Sequence, residues 1–377
     1  MIDIKKIHPG ITYLNNLSNL LNDQIIDLAC EGNIFTAPGQ LIKAASKSLG
    51  ENYNRCHLNG LFSLRERIAE FIQKEYTYAY NPAEEITITA GTSQAIATAI
   101  STFIREGDEV ILFEPAFYSY DSLVMANGGR PVYIQKKQPD FQIDWAEVQK
   151  GITSRTKMII VNSPNCPSGS ILSVADMDKL AKIVNGTKII ILSDETFGQV
   201  VFEGYEHQSI ARFPKLASRS LIISSFGKAL QIDGWEIGYC LAPAKISADF
   251  RKIHHLQTFS VNAPLQFALA EFLAGYIFDD KVSRLLQAKR DILVNGLKKS
   301  KFTIHPANGT SFQILNYAAI SEDKDVDFCN YLLENKNIAV MPLSYFYHDL
   351  LDQKCIRLCF AKSDETLNKA VEIFNQL

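Results

Sequence analysis

Lys188-Ile-Ile-Ile-Leu-Ser-Asp-Glu-Thr-Phe197 runs through four consecutive aliphatic residues and then meets two acids. A strand with one wet face alternates apolar and polar residues. A strand apolar at successive positions is buried on both faces, as in a parallel sheet covered by helices. Five runs of the same kind lie between about residues 85 and 245: Ile86-Thr-Ile-Thr-Ala90, Glu109-Val-Ile-Leu-Phe113, Pro131-Val-Tyr-Ile134, Lys157-Met-Ile-Ile-Val161 and Leu221-Ile-Ile-Ser224. Helix-length amphipathic segments separate them, among them Ser93 to Ile104 and Ser173 to Val184. Ser173 is placed to cap the second, with Asp176 in its first turn. The pattern predicts an α/β domain of three layers with a mostly parallel sheet.

The flanks read differently. Residues 1–40 hold a helix-like stretch, Thr12 to Leu21, then a loop rich in Gly, Asn and Pro from Glu31 to Gly39. Past residue 275 come a long polar helix (Asp279 to Ser300), strands at Thr310–Asn316 and Cys355–Phe360, and helices around Asp325–Asn335 and Ser363–Gln376. A chain of 377 residues exceeds what one core usually supports. The expected division is a large domain over 40–275 and a smaller α+β domain from 1–39 with 276–377. A helix over 264–300 is expected to bridge them.

Composition narrows the class without naming a chemistry. Hydrophobic residues make up 47% and charged ones 21%, which suits a folded chain rather than a disordered one. Lys plus Arg number 38 and Asp plus Glu 41, a net charge of −3. That balance offers no footprint for nucleic acid and no polybasic membrane patch. The opening Met1-Ile-Asp-Ile-Lys-Lys-Ile-His8 lacks the apolar stretch of a secretory signal. The longest apolar runs are strand-sized, well short of the ~20 residues of a membrane span. Seven cysteines, an odd number without a CxxC pair, read as free thiols in a reducing cytoplasm. No set of residues suggests a metal.

Ligands of a parallel α/β sheet sit beyond the carboxyl ends of its strands, and three features fall there. Ile88-Thr-Ala-Gly-Thr-Ser-Gln94 is a strand, a turn of small residues and a helix start, whose exposed amides suit a phosphate. Asp194 follows a buried strand directly. Lys228 closes Ser224-Ser-Phe-Gly-Lys228 after the next one. Singly, each has an ordinary structural reading: a common α/β turn, a capping acid, a solvated lysine. Together they are what pyridoxal phosphate requires, namely a phosphate cradle, an amine for the imine and an anion to keep its ring nitrogen protonated.

Nine segments in order carry a resemblance: Leu61-Phe-Ser-Leu-Arg-Glu66, Thr89-Ala-Gly-Thr-Ser93, Glu114-Pro-Ala-Phe-Tyr-Ser-Tyr120, Asn162-Ser-Pro-Asn-Cys-Pro-Ser-Gly169, Ser193-Asp-Glu195, Ser224-Ser-Phe-Gly-Lys228, Gly234-Trp-Glu-Ile-Gly-Tyr-Cys240, Thr258-Phe-Ser-Val-Asn-Ala-Pro264 and Ile356-Arg-Leu-Cys-Phe-Ala361. Over nearly its whole length the chain resembles the fold-type I, class I/II aminotransferases, and most of all their methionine and kynurenine aminotransferase-like branch. The resemblance implies a homodimer with shared active sites and pyridoxal 5′-phosphate held by Lys228 as a Schiff base. Lys228 would also serve as acid and base, and Asp194 would pair with the pyridinium nitrogen. The amides of Thr92 and Ser93, with Ser225, would hold the phosphate, and Phe117 would stack on the ring. Arg357 would grip the substrate α-carboxylate through two parallel hydrogen bonds, as a planar guanidinium can. Asn262, in Thr258–Asn262, would reach the partner's site.

Several positions break the family pattern. Cys166 stands where the family has Asn, and Phe197 where it has Tyr; those groups normally hydrogen-bond the cofactor's phenolic oxygen. Losing both is expected to raise the imine pKa, with Asn165 a substitute if the turn shifts by one residue. Glu236 replaces a base beside the phosphate. Arg55 replaces a Tyr contributed by the neighbouring subunit. Since two charges at ~4 Å interact by about 4 kcal/mol at a surface-like dielectric, Arg55 of the partner is expected to answer both the phosphate and Glu236. The alternative is that Glu236 points away. The substrate-side loop reads Glu31-Gly-Asn33 in place of Gly-Phe-Pro. Three functions follow: transamination from an L-amino acid, methionine or an aromatic one, to a 2-oxo acid; other chemistry of the same cofactor, such as β-elimination; or binding without catalysis.

Overall fold

The computed structural model describes residues 8–20, 22, 24–32, 35–51, 53, 55–76, 78–276 and 279–377. Residues 1–7, Leu21 and Asn33, on which some expectations fell, lie outside the described residues. Strand β1 (Ile26–Asp27) is followed by the strands of the large sheet: β2 (Ile86–Ala90), β3 (Glu109–Glu114), β4 (Arg130–Gln135), β5 (Thr156–Asn162), β6 (Ile190–Asp194), β7 (Ser220–Ser225) and β8 (Ile237–Leu241). Their spatial order is β2-β8-β7-β6-β5-β3-β4, and β8 alone runs antiparallel to its neighbours. The sheet is therefore mostly parallel, and all six expected strands form within a residue or two of their runs.

The reason those runs are apolar throughout is visible in the packing. Ile111, Phe113, Ile159, Val161 and Ile191 face a layer that includes Trp145, Met177 and Leu180. The residues between them, Val110, Leu112, Met158, Ile160 and Leu192, face the opposite layer with Ala95, Ile96, Ala99, Ile100 and Phe250. Strands β3, β5 and β6 thus lose both of their faces to helices. The helix Val174–Val184 begins as expected, with Ser173 and Asp176 exchanging side-chain and backbone bonds in a capping box.

A four-stranded antiparallel sheet forms from β9 (Thr303–Ile304), β10 (Phe312–Asn316), β12 (Met341–Pro342) and β13 (Cys355–Cys359), in the order β12-β13-β10-β9. Strand β11 (Ile338–Ala339) pairs in parallel with β1, which ties residues 26–27 to the C-terminal part of the chain. Phe312, Leu315, Phe328, Ile356, Leu358 and Phe374 form the centre of this second core.

One expectation is corrected. The single helix over 264–300 is two helices, Ala263–Leu273 and Lys281–Gly296. Gly275, a poor helix former, lies in the break, and Asp279 and Asp280 precede the second helix, where acids suit a helix start. The two also belong to different cores: Ala268, Leu269 and Phe272 pack with the large sheet, Leu286 and Leu293 with the small one.

Candidate active site

The carboxyl ends of β5, β6 and β7 open onto a cavity of about 500 Å3 that the small sheet closes from the other side. Its lining includes Thr92, Ser93, Phe117, Cys166, Asp194, Phe197, Ser225, Lys228, Glu236 and Arg357, so ten of the twelve expected site residues meet in one place. Arg55 and Asn262, expected to act on a partner's site, are exposed and do not line it. The Asn262 side chain caps the helix Ala263–Leu273, accepting from Leu265 N at 3.1 Å.

Asp194 ends β6 and is buried. Its Oδ2 accepts from Tyr120 Oη at 2.5 Å, and its Oδ1 from Thr196 Oγ1 at 2.6 Å and Thr196 N at 3.0 Å. Burial raises the carboxyl's pKa above the usual Asp value, and the Thr196 and Tyr120 hydrogen bonds offset only part of that. A cation in front of it would be stabilised accordingly. Tyr120 and Thr196 were not singled out by role; the signal was Tyr120's place in the Glu114–Tyr120 segment.

Lys228 lies in the short helix Gly227–Leu230, just past β7. Its Nζ is 2.7 Å from Glu31 Oε2 and 3.2 Å from Asp233 Oδ1, and sits over the Phe197 ring at 5.0 Å from its centre. Burial works to lower the amine's pKa, but Glu31 and Asp233 outweigh it and the net direction is up. Neither acid was expected as a neighbour of the lysine.

The helix Gly91–Phe103 starts where a phosphate is expected; its N-cap residue Ala90 offers no capping side chain, and Gln94 Oε1 accepts from Ala90 N at 3.2 Å. Gly91 has φ +76°, and a Cβ there would come within 1.9 Å of Glu236 Oε2. The Glu236 carboxylate therefore lies directly over the start of the helix, which excludes the reading in which it points away. Gly238 on β8 is equally constrained, since its Cβ would lie 2.8 Å from the Gly91 carbonyl carbon.

Arg357 sits on β13, flanked by Met341 of β12 and Ile314 of β10. Its guanidinium lies over Phe312, 4.3 Å from the ring centre, and Nη2 donates to the Ala29 carbonyl. Its Nε is buried with no partner among the described residues. Phe117 stands edge-on to Tyr120 at 5.7 Å. The Cys166 thiol is pushed up to about 12, by burial first, and stays neutral. Asn165 does not take its place: its side chain is spent on the loop, accepting from Ser168 Oγ at 2.7 Å and donating to Asn162 at 3.2 Å.

These groups fit a phosphorylated pyridine aldehyde. An amine, a buried anion and a helix start over a glycine cradle are all present, and the Glu236 carboxylate that lies over the cradle is exposed. Among the described residues no cluster of His, Cys, Asp and Glu could hold a metal ion.

Residues 25–374 match the family model for aminotransferase class I and II. The chain belongs to that family. The aminotransferase is 37% identical over 374 residues to methionine aminotransferase of Escherichia coli (strain K12), covering 98% of this chain and 96% of that one. It is 28% identical over 369 residues to kynurenine–oxoglutarate transaminase 1 of Mus musculus, covering 88% and 87%. Among solved structures, YbdL from Escherichia coli, identified with a methionine aminotransferase function, superposes with a TM-score of 0.93 at 36% identity, over 99% of this chain and 98% of that one. A Thermus thermophilus aspartate aminotransferase double mutant superposes at 0.91 with 27% identity, over 100% and 98%. The aminotransferase has the fold of these enzymes and moves an amino group between an amino acid and a 2-oxo acid.

Proposed function

We propose that this aminotransferase uses pyridoxal 5′-phosphate to transfer the amino group of L-methionine, or of another large apolar or aromatic L-amino acid, to a 2-oxo acid, as a homodimer. The observation that carries the reading is the meeting of Lys228, Asp194 and Arg357 in one cavity. The names of its methionine and kynurenine relatives support the donor class. When bound, the cofactor supplies an aldehyde that joins amines and a cationic ring that draws electrons from the substrate Cα. Lys228 holds it through Nζ and, freed by the incoming amine, moves the Cα proton. Asp194, oriented by Tyr120 and Thr196, keeps the ring nitrogen protonated. The first-turn amides of Thr92 and Ser93, with Ser225, hold the phosphate, and Phe117 lies against the ring.

Arg357 binds the α-carboxylate with the donors left over from Ala29. Arg55 of the partner subunit balances phosphate and Glu236, and the partner's Asn262 reaches the substrate side. Residues 40–275 form the cofactor-holding unit and 1–39 with 276–377 the second. No helix among the described residues is long and apolar enough to cross a membrane. All seven cysteines are free, which suits a cytoplasmic enzyme.

The test mixes protein, cofactor and a panel of L-amino acids and follows absorbance and products. Conversion of the cofactor to its amine form with release of the matching 2-oxo acid is expected. Ammonia with pyruvate or 2-oxobutyrate would mean elimination instead. Lys228→Ala is expected to abolish borohydride trapping of the cofactor and lower turnover by at least about 10³-fold; trapping that survives in this variant refutes the assignment.

A further inference from the structure

We infer that Glu31 is a charge filter, turning dicarboxylic amino donors and 2-oxo acids away from the cavity and admitting those with uncharged side chains. The inference rests on the transamination reading and narrows its substrate class. Glu31 stands inside the cavity lining with Arg357 and Lys228. Its Oε2 meets Lys228 Nζ at 2.7 Å, and its Oε1 accepts from Ser311 Oγ at 2.8 Å. Two residues earlier, the Ala29 carbonyl accepts from Arg357. One short segment thus fixes both the acid and the guanidinium that receives the α-carboxylate.

The balance of charge decides the rest. Among the described residues that line the cavity, the cations are Lys228 and Arg357, and the acids are Glu31, Asp194, Asp233 and Glu236. In the working enzyme the Lys228 amine serves the cofactor and the Cα proton, and Arg357 serves the α-carboxylate. Among the described residues Glu31 then keeps its Ser311 hydrogen bond, and its side chain faces the bound substrate. A second carboxylate on that substrate finds no remaining cation from this chain and one fixed like charge. At a surface-like dielectric and a separation of several ångströms, such repulsion weakens binding at least about tenfold. An uncharged side chain meets Phe197, Phe312 and Leu14 of the same lining instead.

Two non-reacting ligands test the filter without turnover: maleate, a dicarboxylate, and 3-phenylpropionate, a monocarboxylate. Their affinities for the cofactor-loaded enzyme are measured by calorimetry, in wild type and in Glu31→Gln, which keeps an acceptor for Ser311. The wild type is expected to prefer 3-phenylpropionate, and Glu31→Gln to shift the affinity ratio toward maleate at least tenfold. An unshifted ratio overturns the filter. L-Methionine and L-aspartate, compared as amino donors alongside, separate the two readings. A shifted ligand ratio with no donor reacting strikes the transamination reading and supports the filter. Turnover with an unshifted ratio overturns the filter alone.

Discussion

Lys228 is held as a cation by the two carboxylates beside it, yet its expected work requires the neutral amine. The sign follows from the direction of the shift. A raised lysine pKa means the pairing stabilises the fold fully below the ordinary lysine range, and that stability is lost as pH climbs through the raised value. Reactivity runs the other way, because the neutral fraction grows about tenfold per pH unit below the pKa. Attachment of cofactor to the cofactor-free protein is therefore expected to accelerate with pH from roughly 7 to 9, followed by the rise of imine absorbance in stopped flow; a flat profile would contradict the ion pairs. Lys228, Asp194 and Arg357 were legible in the sequence because each sits in a motif whose spacing survives. Glu31 and Asp233 were not, because an ion pair between a loop near the N-terminus and a lysine past β7 leaves no local pattern. Cys166 and Phe197 were legible as departures, but that Asn165 is consumed by its own loop only three-dimensional structure could show.

At the scale of elements, β8 approaches the start of the helix Gly91–Phe103 closely beside the site. Gly238→Ala would push a methyl group into the Gly91 carbonyl, and overpacking of this kind costs about 1–3 kcal/mol. Chemical denaturation should show that loss, and cofactor titration should show weaker binding, since the helix start shifts with it. Unchanged values in both would mean that the contact relaxes freely. The inner strands were readable because both of their faces are covered, which leaves an uninterrupted apolar run; the edge strand β4, only partly buried, was readable from Val132, Tyr133 and Ile134. Strand β8 lies outside that pattern, because Gly238 interrupts its Ile-Gly-Tyr-Cys-Leu run and leaves it legible only as part of a family motif. A helix starting at Asp279 is legible in the sequence, but joining it back to residue 264 hides the break after Leu273, because a single glycine is tolerated inside helices often enough that pattern alone cannot decide.

For the molecule as a whole, the unanswered charge is Glu236, which lies over the very cradle a phosphate would use. If the partner's Arg55 neutralises it, Arg55→Ala should weaken cofactor binding by roughly tenfold or more, measured by equilibrium titration; unchanged affinity would remove the compensation. Such an effect would also require the dimer, since Arg55 does not line its own chain's cavity. The two-strand ladder of Ile26–Asp27 with Ile338–Ala339 has a further result. It stitches the segment bearing Glu31 to the part of the chain whose small sheet carries Arg357, whereas Lys228 and Asp194 are anchored at the ends of strands of the large sheet. Acid and guanidinium thus share one backbone support, so that evolution could retune the choice of substrate by altering a single side chain without disturbing how its backbone end is grasped.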